Sequence, residues 1–268
     1  QVLIILSWLC QDQCLFHSLA TNLAKALVAA GHHIVQVYSR TMTSAEALAE
    51  IIGTEAVDDI PSVRDDADLY VVSVKDSALE ELLPSLCLGK EEKVFLHTAG
   101  SMPMNVFAGK AKHYGVLYPM QTFSKNKEVD FNVIPCFIEY NDSCAQTLIE
   151  SLAHQLSEKV YRLGSEDRKY LHLSAVFACN FANHCFAISQ KLLERHGIPF
   201  EVMLPLIDET ANKVHRLSPL EAQTGPAVRY DENVIRKQTD LLAGTPALKE
   251  IYEQMSQNIH LFAQEETD

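Results

Sequence analysis

Six short runs rich in β-branched and aromatic residues punctuate the first part of the chain: VLII (2–5), HIVQVYS (33–39), LYVVSV (69–74), KVFLHTA (93–99), YGVLYP (114–119) and CFIEY (136–140). Between them, SLATNLAKALVAAG, SAEALAEIIG and SALEELLPSL place apolar residues at helical spacing, with Ser at their starts or Gly at their ends. Near-continuous apolar runs suit strands covered on both faces, and their alternation with helices predicts a mainly parallel sheet. Residues 1–162 therefore read as an α/β, Rossmann-like doubly wound domain.

After about Gly164 the strand signals stop. SEDRKYLHLSAVFACNFANHCFAISQKLLERHG opens on an acidic, Ser-capped turn and closes on Gly197, which predicts one helix of roughly 30 residues. Its middle, Leu171 to Ile188, is apolar on nearly all sides and is expected to be buried all round. Segments 199–217, 231–244 and 246–262 read as further helices. Residues 163–268 thus form an all-α domain for dimerisation or substrate binding. The long helix carries more apolar surface than a small helical domain can cover, so a homodimer through residues 166–262 is expected.

With 268 residues, 47% hydrophobic and 21% charged, the chain can bury a large core. A net charge of −13 argues against nucleic acid as a partner, because phosphate binding needs clustered Lys and Arg. The 7 cysteines are odd in number and scattered, as in a cytoplasmic protein. Cys10 and Cys14 lack a second pair at zinc-site spacing, so no metal is expected. The apolar run Val2 to Leu9 is too short to span a bilayer and carries no basic leader, so no membrane association is expected.

Val2 to Thr41 has the outline of a dinucleotide-binding βαβ unit. Such a unit places Gly-x-Gly-x-x-Gly or -Ala between strand and helix, where bare backbone approaches the pyrophosphate. Counting back from LATNLAKAL, the expected positions are Leu15, His17 and Ala20, and only Ala20 fits. The segment 6–18, with Trp8, Gln11 and Asp12, reads as an atypical phosphate loop without glycine. At the end of the second strand stands Ser39-Arg40-Thr41, where an NAD site would carry Asp or Glu. An arginine between hydroxyls suits a 2′-phosphate, favouring NADP; a solvated arginine in a capped loop is the plainer reading.

The strings LATNLAKAL, IVQVYSRT, YVVSVKDSAL, HTAGSMPMNVF, YGVLYPMQTFS, LPLIDETANKVH and TGPAVRYDENVI together resemble a bacterial family of NADP oxidoreductases. That family joins a Rossmann-like domain to a helical domain of unassigned function. It is related to pyrroline-5-carboxylate reductases and deazaflavin-dependent NADP reductases. The resemblance covers about residues 19 to 262 and stops at 6–18, where the family would read something like Gly-Ala-Gly-Asn. A local reading-frame slip and a newly evolved loop both account for such a block. The resemblance implies NADPH as cofactor, with weakened binding if the loop is altered. Leu19 and Ala20, where it begins, join the cofactor-binding residues.

Further candidates lie at predicted strand ends, where doubly wound sheets bind ligands. Ser73, Val74 and Lys75 follow the third strand and fall beside the cofactor. In HTAGS, Thr98 joins them, His97 is a candidate proton donor or a loop-fixing histidine, and Ser101 faces the substrate. Tyr118 and Gln121, with Thr122 and Ser124, belong to a cleft loop after Pro119. On the long helix, counted at 100° per residue, His172, Asn180 and Asn183 share one stripe. They line a substrate cleft or hydrogen-bond across an interface. Arg229 pairs with Asp231 or holds a substrate carboxylate.

The chain is expected to be an NADP-dependent oxidoreductase acting on a small molecule by hydride transfer. The alternatives are a non-catalytic dinucleotide-binding or sensor protein and a cofactor-free scaffold, both suggested by the missing glycines.

Overall fold

The computed structural model describes residues 2–7, 15–123 and 129–265, with side chains at 2, 18–123 and 129–265. Two compact units are present, Gln1–Asn183 and His184–Asp268. The first unit runs past the expected boundary at 162 because the start of the long helix folds with the sheet.

The first unit is built on β1 (Val2–Ser7), β2 (Ile34–Ser39), β3 (Glu55–Val57), β4 (Leu69–Val74), β5 (Val94–His97), β6 (His113–Pro119), β7 (Cys136–Tyr140) and β8 (Val160–Arg162). They form a sheet in the order β3-β2-β1-β4-β5-β6-β7-β8, parallel except for the β6–β7 pair. The order reverses between β1 and β4, the topological switch point at which open α/β sheets bind ligands.

The helices are α1 (Leu15–Ala29), α2 (Met42–Ile52), α3 (Asp76–Cys87), α4 (Ser143–Leu156) and α5 (Ser165–Ala175). Strand side chains alternate between two cores. Leu69 and Val71 pack in one with Leu23 and Leu27 of α1, Leu48 of α2 and Ile149 of α4. Tyr70 and Val72 pack in the other with Leu79 and Leu83 of α3. The doubly wound architecture is thereby built. Gly115 of β6 has to lack a side chain, since a Cβ would lie 2.2 Å from the Glu139 carbonyl oxygen and 2.4 Å from Ile149 Cδ1.

Three of the labelled elements of the first unit have no counterpart in the predicted set, nor does the short helix Pro219–Ala222 in the second. β3 and β8 are three-residue edge strands, too short to show a pattern. Helix α4 begins at a cap, Asp142, whose side chain accepts from the Ala145 N–H. The phosphate-loop count is corrected: β1 extends through Ser7 and α1 already begins at Leu15, so Leu15 and His17 belong to helical backbone rather than to a turn. No helix-breaking glycine or proline stands there to delay the helix. Residues 8–14 and Ser124 lie outside the described residues.

After α5 come a π-helical segment (Val176–Phe181) and α6 (Ala182–Glu194). Then follow α7 (Leu204–Lys213), α8 (Pro219–Ala222), α9 (Glu232–Leu241) and α10 (Pro246–Glu265). Among the described residues no strand follows β8. Ser165–Glu194 is long and apolar enough to cross a membrane by length and composition. The expectation that its middle is buried all round does not hold within this chain. Leu173, Phe177 and Phe181 are 51%, 62% and 51% exposed, because the sheet unit covers only the side that carries Arg168.

Candidate functional site

A cavity of about 440 Å³ opens at the carboxyl ends of β5 and β6. Its walls come from Leu19 of α1, Asp76 at the start of α3, the turn Thr98–Ser101, the segment Tyr118–Phe123, and α5 with the π-helical segment. Each wall follows from where the chain leaves the sheet: the strands end, and the polar residues after them are left at the rim.

Tyr118 and His172 meet in this wall. The Tyr118 hydroxyl lies 3.1 Å from His172 Nδ1, the proton of that bond depending on the imidazole tautomer, and the rings are edge to face with centroids 6.0 Å apart. Burial raises the Tyr118 pKa, with the Arg168 guanidinium acting in the opposite direction, so the phenol keeps its proton near neutral pH. Gly100 completes the arrangement. A Cβ there would stand 2.6 Å from His172 Nδ1 and 3.0 Å from Tyr118 Cζ. Gly100 supplies room for the His172 ring rather than flexibility.

A buried ion pair holds these walls together. Arg168, 1% exposed, donates from Nη1 to Glu139 Oε2 at 2.5 Å and from Nη2 to the Met102 carbonyl at 2.6 Å. Ser165 donates from Oγ to Glu139 Oε2 at 2.7 Å and accepts from the Met104 N–H at 2.8 Å. One guanidinium thus ties the first turn of α5 both to β7 and to the loop that begins at Gly100. His172 sits four residues beyond it, one turn along the same helix face.

The expected site residues separate into groups. Thr98, Ser101, Tyr118, Gln121, His172 and Asn180 line the cavity, as does Leu19. Thr98 donates to Ser73 at 3.1 Å, lacing the ends of β4 and β5, and the Ser101 hydroxyl donates to Asp76. Val74 and Ala20 are buried in the two cores, and Lys75 is the N-cap residue of α3. Ser39 is fully buried, its hydroxyl without a partner among the described residues, whereas Arg40 and Thr41 are exposed. Thr41 donates to Ser44 at 2.9 Å in the cap of α2.

His97 is placed differently from a proton donor. It is fully buried beside Phe107, ring centroids 5.8 Å apart, and its Nδ1 accepts from the Ala99 N–H at 3.1 Å. Burial, then the Arg168 charge, push its pKa down to about 3, with the Pro103 carbonyl opposing weakly. A ring that is neutral at physiological pH and holds its own turn is the loop-fixing histidine. Asn183 is not among the cavity residues because the π-helical turn, bonded i to i+5, breaks the 100° count after Val176. Arg229 is exposed in the second unit and forms no ion pair with Asp231, which instead caps α9 by accepting from the Val234 N–H at 3.3 Å.

Asp76, Gly100 and Cys179 also line the cavity, and Arg168, Glu139 and Ser165 brace its wall, none of them singled out by the sequence pattern. Only Asp76 and Gly100 had a signal, being inside strand-end strings already singled out.

The sheet is Rossmann-like, and the sequence matches place the chain among NADP oxidoreductases. Residues 18–99 match the family described as NADP oxidoreductase coenzyme F420-dependent, and residues 134–259 match the Domain of unknown function (DUF2520). The chain belongs to the family of the "putative NADP oxidoreductase" from Bacteroides fragilis, with which it shares 52% identity over 97% of each chain at a TM-score of 0.88. The same fold occurs in the 1-pyrroline-5-carboxylate reductase of Streptococcus pyogenes, at 12% identity over 97% of this chain and 98% of that one, TM-score 0.60. It also occurs in an imine reductase from Myxococcus stipitatus in complex with NADP+, at 16% identity over 99% and 93%, TM-score 0.60. No curated protein matches the sequence.

The described residues fit a dinucleotide. Ser39 presents a buried hydroxyl with no partner among the described residues at the end of β2, next to the exposed Arg40 and Thr41. Ala20, 1% exposed, is a small residue at which α1 packs into the core.

Proposed function

We propose that the chain is an NADP-dependent oxidoreductase that reduces or oxidises a small molecule in the cavity between β5, β6 and the π-helical turn. The observation that carries this reading is the Tyr118–His172 couple: a protonated phenol, backed by an imidazole, in the wall of a largely apolar pocket at the carboxyl edge of the sheet. Ser39, Arg40 and Thr41 would hold the adenosine end with its 2′-phosphate, and Ser73 with Thr98 would border the rest. NADPH, when bound, supplies a hydride equivalent. Tyr118 then gives its hydroxyl proton to the substrate heteroatom, and His172 returns a proton to the phenolate oxygen. Gly100 and Arg168 keep the two side chains in register, and the apolar wall excludes water.

The test is a screen of small C=O and C=N compounds for NADPH oxidation, followed by Tyr118→Phe. Loss of a general acid is expected to lower kcat by about 100-fold or more with KM little changed. Undiminished kcat in the Tyr118→Phe variant would remove Tyr118 from the mechanism.

A homodimer through residues 166–262 belongs to this proposal, since Leu173, Phe177 and Phe181 are too exposed for a helix facing water. Light scattering at micromolar concentration is expected to give a dimer mass; a monomer, or partitioning into detergent micelles, would overturn it. A non-catalytic dinucleotide-binding or sensor protein is the second reading, favoured by the absence of glycine from residues 6–18. NADPH binding with no turnover across the screen would support it.

A further inference from the structure

His172, Val176 and Asn180 follow one another at intervals of four along α5 and the π-helical segment, and all three line the cavity. In a regular helix two such steps drift by about 80°, which would turn Asn180 toward the edge of the cavity side. A π-helical turn holds more residues and so rotates each by less, which brings Asn180 back toward the His172 stripe. The hydroxyls of the wall are engaged locally: Thr98 donates to Ser73, Ser101 to Asp76, Thr122 to Gln121 Oε1 and Ser174 to the Tyr170 carbonyl. The Asn180 carboxamide is exposed and makes no hydrogen bond with the described residues. Eight residues at 1.5 Å each place it on the order of 12 Å along the helix from His172. The stripe between them is apolar at Val176.

Resting on the oxidoreductase reading above, we propose that the cavity takes an elongated substrate with two polar ends, and that Asn180 selects it. The reacting group lies at Tyr118, and an apolar stem on the order of 10 Å follows the helix past Val176. A neutral polar group at the far end meets the Asn180 carboxamide, which both donates and accepts, so a hydroxyl, a carbonyl or an amide satisfies it. Asn180 touches the end of the substrate that does not react. It therefore contributes to binding and to the choice of substrate rather than to the chemical step.

Calorimetric titration of the NADPH-loaded protein with linear 1-alkanols and α,ω-alkanediols of increasing length reads stem length and end group separately. A diol long enough to span the two ends is expected to bind about fivefold more tightly than the alkanol of the same length, the effect of one neutral hydrogen bond. Short diols should show only the gain of about twofold that two equivalent ends give by statistics. Asn180→Ala is expected to reduce the long diol to that same statistical gain and leave the alkanols unchanged. Asn180→Gln, which keeps the carboxamide and reaches further, should keep the preference and move its optimum to a shorter diol. A diol advantage that is absent at every length, that survives Asn180→Ala, or that ignores stem length would overturn the proposal, as would no binding of any member. A dimer mass lost in Asn180→Ala with diol binding intact would assign the carboxamide to a subunit interface and overturn it too. Titrating NADPH alone tests the oxidoreductase reading separately. If it fails to bind, the same series on the cofactor-free protein still reads the length and end-group preference of the cavity.

Discussion

Replacing Gly100 by Ala adds one methyl group where the structure has no space for it. The new Cβ would lie 2.6 Å from His172 Nδ1, 2.8 Å from His172 Cγ and 3.0 Å from Tyr118 Cζ. Gly100 is not among the residues of positive φ, so alanine fits the backbone and the cost is steric. Overpacking a filled site costs about 1–3 kcal/mol. Displacing the imidazole also loses its bond to Tyr118, worth about 1 kcal/mol. Against these, Gly→Ala recovers about 0.4–1 kcal/mol by restricting the unfolded chain. The net expectation is a loss of about 2 kcal/mol, read from urea denaturation followed by circular dichroism. The decisive step is a double-mutant cycle with His172→Ala. With the imidazole gone, Gly100→Ala should cost under about 0.5 kcal/mol, since most of its clash was with that ring. An equal cost in both backgrounds would show that Gly100 does not shape the Tyr118–His172 couple.

Arg168→Met removes one partner of a buried pair and is expected to cost about 3 kcal/mol, partly recovered by adding Glu139→Gln; a cost below about 1 kcal/mol in urea denaturation would contradict the clamp. His97 has a folded-state pKa lowered to about 3, so between that value and its unfolded pKa near 6.5 only the unfolded chain takes up the proton. Its contribution is therefore complete above pH about 6.5 and shrinks as pH falls, by about 1.4 kcal/mol per pH unit, and His97→Asn should remove that slope between pH 5 and 6. An unaltered slope would place the proton elsewhere. Asp142→Ala deletes the α4 cap and is expected to lower stability by about 1 kcal/mol, checked by the same denaturation.

The doubly wound sheet was legible because its central strands are covered on both faces and so carry unbroken apolar runs, as LYVVSV does. Edge strands such as Glu55–Val57 have no such signature, being half exposed and three residues long. Strand-end strings located Thr98, Ser101, Tyr118 and Gln121, since topology alone puts such residues at a ligand-facing edge. Roles within those strings were not legible. His97 and Tyr118 are both ionisable and both lie at the carboxyl ends of strands, yet one points into an aromatic core and the other into the cavity. That difference is one of side-chain direction and of partners distant in sequence. Arg168 was missed for the same reason: its partner Glu139 is 29 residues away. The π-helical turn likewise left no periodic mark, and it moved Asn183 off the stripe that a regular helix would give.

On the proposed function, the Ser39–Arg40–Thr41 end of β2 selects NADP over NAD. Titration of the purified chain with NADPH and NADH, followed by calorimetry, tests it most directly, with Arg40→Ala alongside. NADPH is expected to bind at least about tenfold more tightly than NADH, and Arg40→Ala to remove most of the difference. Equal affinity for the two nucleotides, a preference that survives Arg40→Ala, or binding of neither would contradict it.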